Sequence, residues 1–135
     1  MSTSAVVLTL FIAWALFLLV LMEVIRSYLV VSGRARSNEF QPDNANLSPF
    51  LQRLARAHAN CIESLPVVGG LLLVAIATGH SGLTDTMAPW LLVARLGQSI
   101  THLVSVSVLA VNVRFAFFAV QLGIAIYWTW ALLAG

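Results

Sequence analysis

Three polar residues with helical spacing lie in a mostly apolar region of this chain. Arg56, Asn60 and Glu63 are related by i, i+4 and i+7 within the segment RLARAHANCIESLP, so one face of a helix would carry all three. Arginine offers a planar fork of donors that can hold a carboxylate in two bonds, which favours an anionic ligand or a buried ion pair. A charge at the bilayer centre costs roughly 3 kcal/mol on insertion scales unless it faces a partner or a wet cavity. We therefore expect this face to point inward, toward a site.

A second polar stripe follows further along the chain. Arg95, Gln98 and His102 are related by i, i+3 and i+7 and share a face of an otherwise apolar helix. Such a stripe can supply hydrogen bonds that hold helices together in a membrane. It can also place Arg95 opposite an acid such as Glu63 or Glu23 as a structural clamp. We expect both.

The remaining candidates are weaker. Glu23 and Arg26 stand at i, i+3 near the end of the first apolar segment and can pair with each other or with the second helix. Cys61 is the only cysteine, so no intramolecular disulfide is possible and we interpret it as a packing residue. No metal-ligand spacing, phosphate-binding glycine loop or nucleophile elbow occurs, and no metal site is predicted.

Composition indicates the elements that position these residues. The chain has 135 residues, of which 60% are hydrophobic and 9% charged, and its mean hydropathy is +0.94. This is too little polar surface to coat a soluble globule, so the sequence predicts one integral membrane domain. Helical periodicity predicts an all-α, up-down four-helix bundle. Its helices are expected at about 5–31, 49–78, 87–108 and 114–133, with a short break at 110–113.

Charge asymmetry predicts the orientation in the membrane. Arg34, Arg36, Arg53 and Arg56 lie in or beside the first connecting loop, and Arg114 lies at the other turn on that side. The opposite side has no Lys or Arg. By the positive-inside rule the Arg-rich side faces the cytoplasm. We expect a multi-pass protein with both termini on the non-cytoplasmic side.

The second-helix residues carry a resemblance. The series Arg56-Ala57-His58, Asn60, Glu63 and Pro66, supported by Arg34-Ala35-Arg36, Arg95 and Arg114, resembles the signature of the MAPEG family, the membrane-associated proteins of eicosanoid and glutathione metabolism. The resemblance covers nearly the whole chain and indicates a divergent, bacterial-type member, located in the inner membrane. It implies a homotrimer of four-helix subunits that bind glutathione between neighbouring subunits near the cytoplasmic side.

Carried over residue by residue, the resemblance assigns roles. Arg34, Arg56, Asn60 and Glu63 would contact glutathione, and Arg114 would lie near its sulfur. An adjacent guanidinium favours the thiolate of a thiol whose ordinary pKa is about 8.5. Apart from the resemblance, we expect Glu23, Arg26, His58, Arg95 and Gln98 to be structural polar residues.

The chain also departs from the family pattern near the expected sulfur position. His102 stands where transferase members have a tyrosine and is a second catalytic candidate beside Arg114, while Gln98 stands where they have a histidine. Phe115 and Phe118 replace a serine and a tyrosine. Whether the protein is an enzyme therefore stays open.

Three functional classes follow from this sequence. The first is a glutathione-dependent transferase or peroxidase acting on lipophilic electrophiles or lipid hydroperoxides. The second is a non-catalytic member of the family that binds glutathione or a lipid. The third, a small four-helix transporter driven by a membrane-embedded glutamate, is disfavoured by the long polar first loop and the Arg-rich face.

Overall fold

The computed structural model describes residues 1–135, and its secondary structure is entirely helical, without β-strands, which confirms the all-α prediction. Four long helices are joined by two connecting segments and one single-turn helix. The elements are α1 (Thr3–Val31), α2 (Pro49–Ala77), α3 (Gly82–Asp85), α4 (Ala88–Val104) and α5 (Val108–Ala134).

Serine side chains set the starts of three helices. Ser2, Ser48 and Ser107 each accept a hydrogen bond from the backbone N–H three residues later, at 3.2, 3.3 and 3.1 Å. This is the usual N-cap interaction, which satisfies a backbone donor left free in the first helical turn. The Ser48 cap places the start of α2 where the sequence predicts it.

The break between the last two long helices is not where the sequence predicts it. The chain leaves the helical conformation at Ser105, whose φ and ψ are −158° and 156°, and Ser107 then caps α5. The predicted third helix is therefore too long, and the predicted fourth helix starts too late. Hydropathy does not reveal this break, because apolar residues continue on both sides of it. The break is set by Ser105, which ends α4, and by Ser107, which caps α5. Arg114 consequently lies in the second turn of α5 instead of at its start.

The helices pack around a central pair. α2 and α4 contact each other, α1 packs on one side of this pair and α5 on the other, and the backbones of α1 and α5 stay apart. The backbone N–H and hydroxyl of Ser4 at the start of α1 donate to Asp85 of α3 at 2.8 and 2.6 Å, and α5 also contacts α3. At the opposite end Arg53 Nε donates to the carbonyl of Leu103 at 2.9 Å. The chain thus runs up and down, with both termini at the α3 end.

The outer surface of the bundle is largely apolar. Leu16, Phe17, Val24 and Ile126 are more than half exposed, which would be costly in water over so large an area. α1, α2 and α5 are each long and apolar enough to cross a membrane, while α4 has 17 residues. The helices and their apolar surface together indicate an integral membrane protein.

The segment between α1 and α2 is fixed to α1 by one buried side chain. Asn44 is fully buried and adopts a left-handed backbone with φ of 55°. Its amide oxygen accepts from Arg26 Nε at 3.1 Å, and its amide nitrogen donates to the carbonyl of Leu51 at 2.8 Å. Arg26 also pairs with Glu23 at 3.5 Å, as their spacing predicts. These contacts fix the position at which the chain enters α2.

Candidate functional site

Arg95 lies at the centre of a polar cluster inside the bundle. It is fully buried, and no other Asp, Glu or Arg side chain of the chain is buried. Its Nε donates to Gln121 Oε1 at 3.0 Å, Nη1 to Asn60 Oδ1 at 2.6 Å, and Nη2 to Ser64 Oγ at 2.6 Å. One guanidinium from α4 therefore joins α2 and α5.

The predicted ion pair between Arg95 and Glu63 or Glu23 is wrong within this chain. No carboxylate lies within 4.0 Å of Arg95, and Glu23 pairs with Arg26 instead. Asn60 and Ser64, at i and i+4, turn toward α4, whereas Glu63 precedes Ser64 and is rotated by about 100° to the outside. All three Arg95 partners are neutral, so the chain itself does not neutralise the buried charge.

Gln121 is a member of this cluster that the sequence prediction missed. It is buried, and its amide nitrogen donates to Gln98 Oε1 at 2.8 Å and to the carbonyl of Phe117 at 3.1 Å. A signal was present, because Gln121 follows Arg114 by seven residues and so lies near the same face of an apolar helix. The side chain links the Arg95 cluster to the stripe on α4.

An open cavity of about 280 Å³ adjoins the cluster between α2, α4 and α5. His102 is more than nine-tenths buried, and its Nδ1 has no hydrogen-bond partner. Four residues that the sequence singled out line this cavity together with three apolar side chains, and we call it the cationic cavity: Asn60, Gln98, His102 and Arg114 with Val111, Phe115 and Phe118. A buried guanidinium behind it and a second one in its wall favour an anionic occupant.

The expectation that the Arg56, Asn60 and Glu63 face points inward is wrong for two of its members. Arg56 and Glu63 are exposed on the single chain, and only Asn60 is partly buried. Glu63 lines a second cavity of about 240 Å³ between α2 and α5, which shares Asn60 and Phe118 with the cationic cavity. We call this second space the α2–α5 cavity.

Two of the predicted arginines lie further out. Arg56 lines a small cavity of about 180 Å³ beside Arg53 and Val106. Arg34 lies beyond the end of α1, exposed, with its guanidinium 5.8 Å from the centre of the Tyr28 ring. Within one chain, neither arginine joins the residues that line the cationic cavity.

The other predicted polar residues do not line the cationic cavity; they are Glu23, Arg26 and His58. Glu23 and Arg26 line a groove beside the segment between α1 and α2. His58 Nε2 is buried and has no hydrogen-bond partner. No group of three or more His, Cys, Asp or Glu side chains is placed to hold a metal ion.

The fold and this site define an all-helical integral membrane protein with a cationic cavity among three of its helices. The family model described as "MAPEG family" matches residues 4–134. The chain therefore belongs to the MAPEG family, and the resemblance seen in the second-helix residues is confirmed. No curated protein and no solved structure gave a match to the chain.

Proposed function

We propose that this protein is a membrane-bound, glutathione-dependent transferase or peroxidase that acts on lipophilic electrophiles or lipid hydroperoxides. The observation that carries the proposal is the convergence of Asn60, Gln98, His102 and Arg114 on one cavity, next to the buried Arg95 that has no carboxylate partner. Membership of a family named for eicosanoid and glutathione metabolism supports the same reading.

The charges suit glutathione. Glutathione carries two carboxylates and one ammonium, so its site needs guanidinium groups and one acid. Arg34 and Arg56 are available for the carboxylates, and Glu63 is available for the ammonium. Asn60 lies between the cationic cavity and the α2–α5 cavity and can hold the peptide between them.

The exposed position of these charged residues supports assembly of the chain into an oligomer. Arg56 and Glu63 are on the outside of α2 in the single chain, where in a membrane Glu63 would face lipid at a cost of several kcal/mol. A homotrimer whose sites lie at subunit contacts would enclose them together with the bound peptide. In this arrangement α4 is a fourth, short span, the Arg-rich loops face the cytoplasm and the termini face away from it.

Arg114, which lines the cationic cavity, would activate the thiol of glutathione. The guanidinium of Arg114 lowers the pKa of a thiol beside it, so that glutathione binds as the thiolate at neutral pH and its proton passes to solvent. The sulfur then attacks an electrophilic carbon, a C–S bond forms, and the leaving group departs with its electron pair. With a hydroperoxide the sulfur attacks oxygen, the O–O bond breaks and an alcohol leaves after protonation. A second glutathione reduces the resulting sulfenic acid, giving glutathione disulfide and water.

His102 is the second catalytic residue in this proposal. Its imidazole lines the cationic cavity together with Arg114. A hydrogen bond from it to the sulfur or to the departing atom would strengthen as charge moves in the transition state. His102 thereby takes the place of the tyrosine that transferase members carry.

Substitution of Arg114 tests the proposal. Glutathione added to the unmodified protein at neutral pH should produce the thiolate absorbance at the ultraviolet edge, because Arg114 stabilises the anion. Arg114→Ala should abolish this signal and retain measurable glutathione binding. The matched control Arg36→Ala removes an exposed loop arginine and should leave the signal intact. Glutathione binding without a thiolate signal in the unmodified protein would reject the proposed chemistry.

A non-catalytic binding protein is the second candidate. The residues beside Arg114 in the cavity are Phe115 and Phe118, whose rings lack a hydroxyl or N–H that could donate to sulfur. A family member with these side chains can keep the scaffold and the anion site without turnover. Saturable glutathione binding with no turnover of any electrophile would favour this alternative.

A further inference from the structure

Arg95 fixes the orientation of two side-chain amides beside the cationic cavity. A guanidinium can only donate hydrogen bonds, so an amide that faces it must do so with its oxygen. Asn60 Oδ1 accepts from Arg95 at 2.6 Å, and Gln121 Oε1 accepts from it at 3.0 Å. The amide nitrogens of both side chains therefore point away from Arg95.

Gln121 passes this orientation on to Gln98. The Gln121 amide nitrogen donates to the backbone carbonyl of Phe117 at 3.1 Å, and a carbonyl can only accept, so two neighbours fix the same orientation. The same nitrogen donates to Gln98 Oε1 at 2.8 Å. With its oxygen engaged by Gln121, Gln98 keeps its amide nitrogen on the other side of the amide group.

The amide nitrogen of Gln98 has no partner within the chain. Gln98 is only 3% exposed, and its one side-chain hydrogen bond is the bond that its oxygen accepts. A buried donor costs free energy unless an acceptor meets it. Because Gln98 lines the cationic cavity together with Arg114, its two N–H groups are free for an occupant of that cavity. Both side chains offer donors, which suits an anion.

We propose that Gln121 is a positioning residue, which holds the Gln98 amide with its N–H groups toward the sulfur of bound glutathione. The inference deepens the proposed function and rests on it, because the proposed position of the sulfur is in the same cavity, beside Arg114. A hydrogen bond to an ionised acceptor is stronger than one to a neutral acceptor, so this donor favours the thiolate over the thiol. Arg95 thereby acts on the sulfur through two amide groups in series.

Gln121→Glu tests the inference, because it keeps an acceptor for Arg95 and removes the donor to Gln98. A carboxylate only accepts, so the Gln98 amide must turn its N–H groups toward α5 and its oxygen toward the sulfur. We expect the pH midpoint of the thiolate absorbance of bound glutathione to rise by about one unit or more. The matched control Gln41→Glu makes the same change in an exposed loop and should leave the midpoint unchanged. An unchanged midpoint in a folded Gln121→Glu protein would overturn the inference.

Gln98→Met separates the turned amide from the charge that Gln121→Glu adds. Methionine is unbranched like glutamine but has no amide to turn. In the Gln98→Met background, Gln121→Glu therefore acts through its charge alone. Its effect on the midpoint should be smaller there, by about half a pH unit or more, than in the unmodified background. Equal shifts in the two backgrounds would reject Gln121 as a positioning residue.

A measurement without glutathione separates this inference from the proposed function. Thiocyanate, a small anion with a terminal sulfur, is added to protein with isotope-labelled glutamine side chains, and NMR follows the amide signal that Gln98→Met removes. We expect a saturable shift of this signal in the unmodified protein and none in Gln121→Glu. That result in a protein that does not bind glutathione would support Gln121 as the positioning residue while the enzymatic proposal fails. No saturable shift in the unmodified protein, or an equal shift in Gln121→Glu, would overturn the inference.

Discussion

At the scale of single residues, the central feature is a buried arginine held by neutral groups. Asn60, Ser64 and Gln121 satisfy donors of the Arg95 guanidinium, but none of them carries a compensating charge. Burying a charge costs several kcal/mol unless hydrogen bonds and an opposite charge compensate for it. In our proposal the bound anion supplies part of that missing charge, so ligand binding and stability are coupled.

Gln121 tests whether the polar cluster supports the fold. Gln121→Leu leaves Arg95 Nε and Gln98 Oε1 without their partner, so we expect a loss of about 1 to 3 kcal/mol in the free energy of unfolding. The control Gln41→Leu makes the same change in an exposed loop position and should stay within about 0.5 kcal/mol. Thermal unfolding in detergent measures both. Equal stability of the two variants would show that the cluster does not hold the helices together.

At the scale of elements, α4 approaches α5 closely at one glycine. A Cβ atom added to Gly97 would lie 2.7 Å from the Phe117 ring, whereas one added to Gly123 of α5 would meet nothing within 4 Å. This approach places Gln98 next to Gln121, and both helices contribute to the cationic cavity. The site therefore depends on the spacing of α4 and α5.

Alanine substitutions at the two glycines should have opposite effects. In a helix interior Ala is favoured over Gly by about 0.5 to 1 kcal/mol, so Gly123→Ala should raise the melting temperature. Gly97→Ala must displace the Phe117 ring, and overpacking of this kind costs about 1 to 3 kcal/mol, so its melting temperature should fall. The same sign of change in both variants would contradict the close approach.

Much of this architecture was accessible from the sequence, for physical reasons. Long apolar runs with helical period predict membrane helices, and Ser48 followed by Pro49 fixes the start of α2 because both residues suit a helix N-terminus. The break at 105–107 was misplaced, since apolar residues continue across it and only the serine caps interrupt the helix. The facing direction of Arg56 and Glu63 was also wrong. Periodicity identifies which residues share a face, but packing determines whether that face meets another helix or the outside.

At the scale of the whole molecule, the chain is a MAPEG-family membrane protein whose polar residues are divided between its interior and its outer face. Arg95, Gln98 and Gln121 are enclosed within one chain, while Arg34, Arg56 and Glu63 are exposed. The enclosed group lies behind the cationic cavity, whose polar lining is Asn60, Gln98, His102 and Arg114 of one chain. In the function that we propose, the exposed group acts when glutathione and a second copy of the chain cover it, which connects glutathione binding to trimer formation.

Calorimetric titration of the purified protein with glutathione tests the central claim most directly, and Glu63 supplies the sharpest variant. Glu63 lines the α2–α5 cavity, whereas Glu39 pairs with Arg36 in an exposed loop at 3.6 Å. We predict saturable binding that Glu63→Gln weakens by about tenfold or more, as expected for the loss of a hydrogen bond to a charged group, and that Glu39→Gln leaves unchanged. No saturable heat from the folded protein, or equal affinities in the two folded variants, would contradict the account.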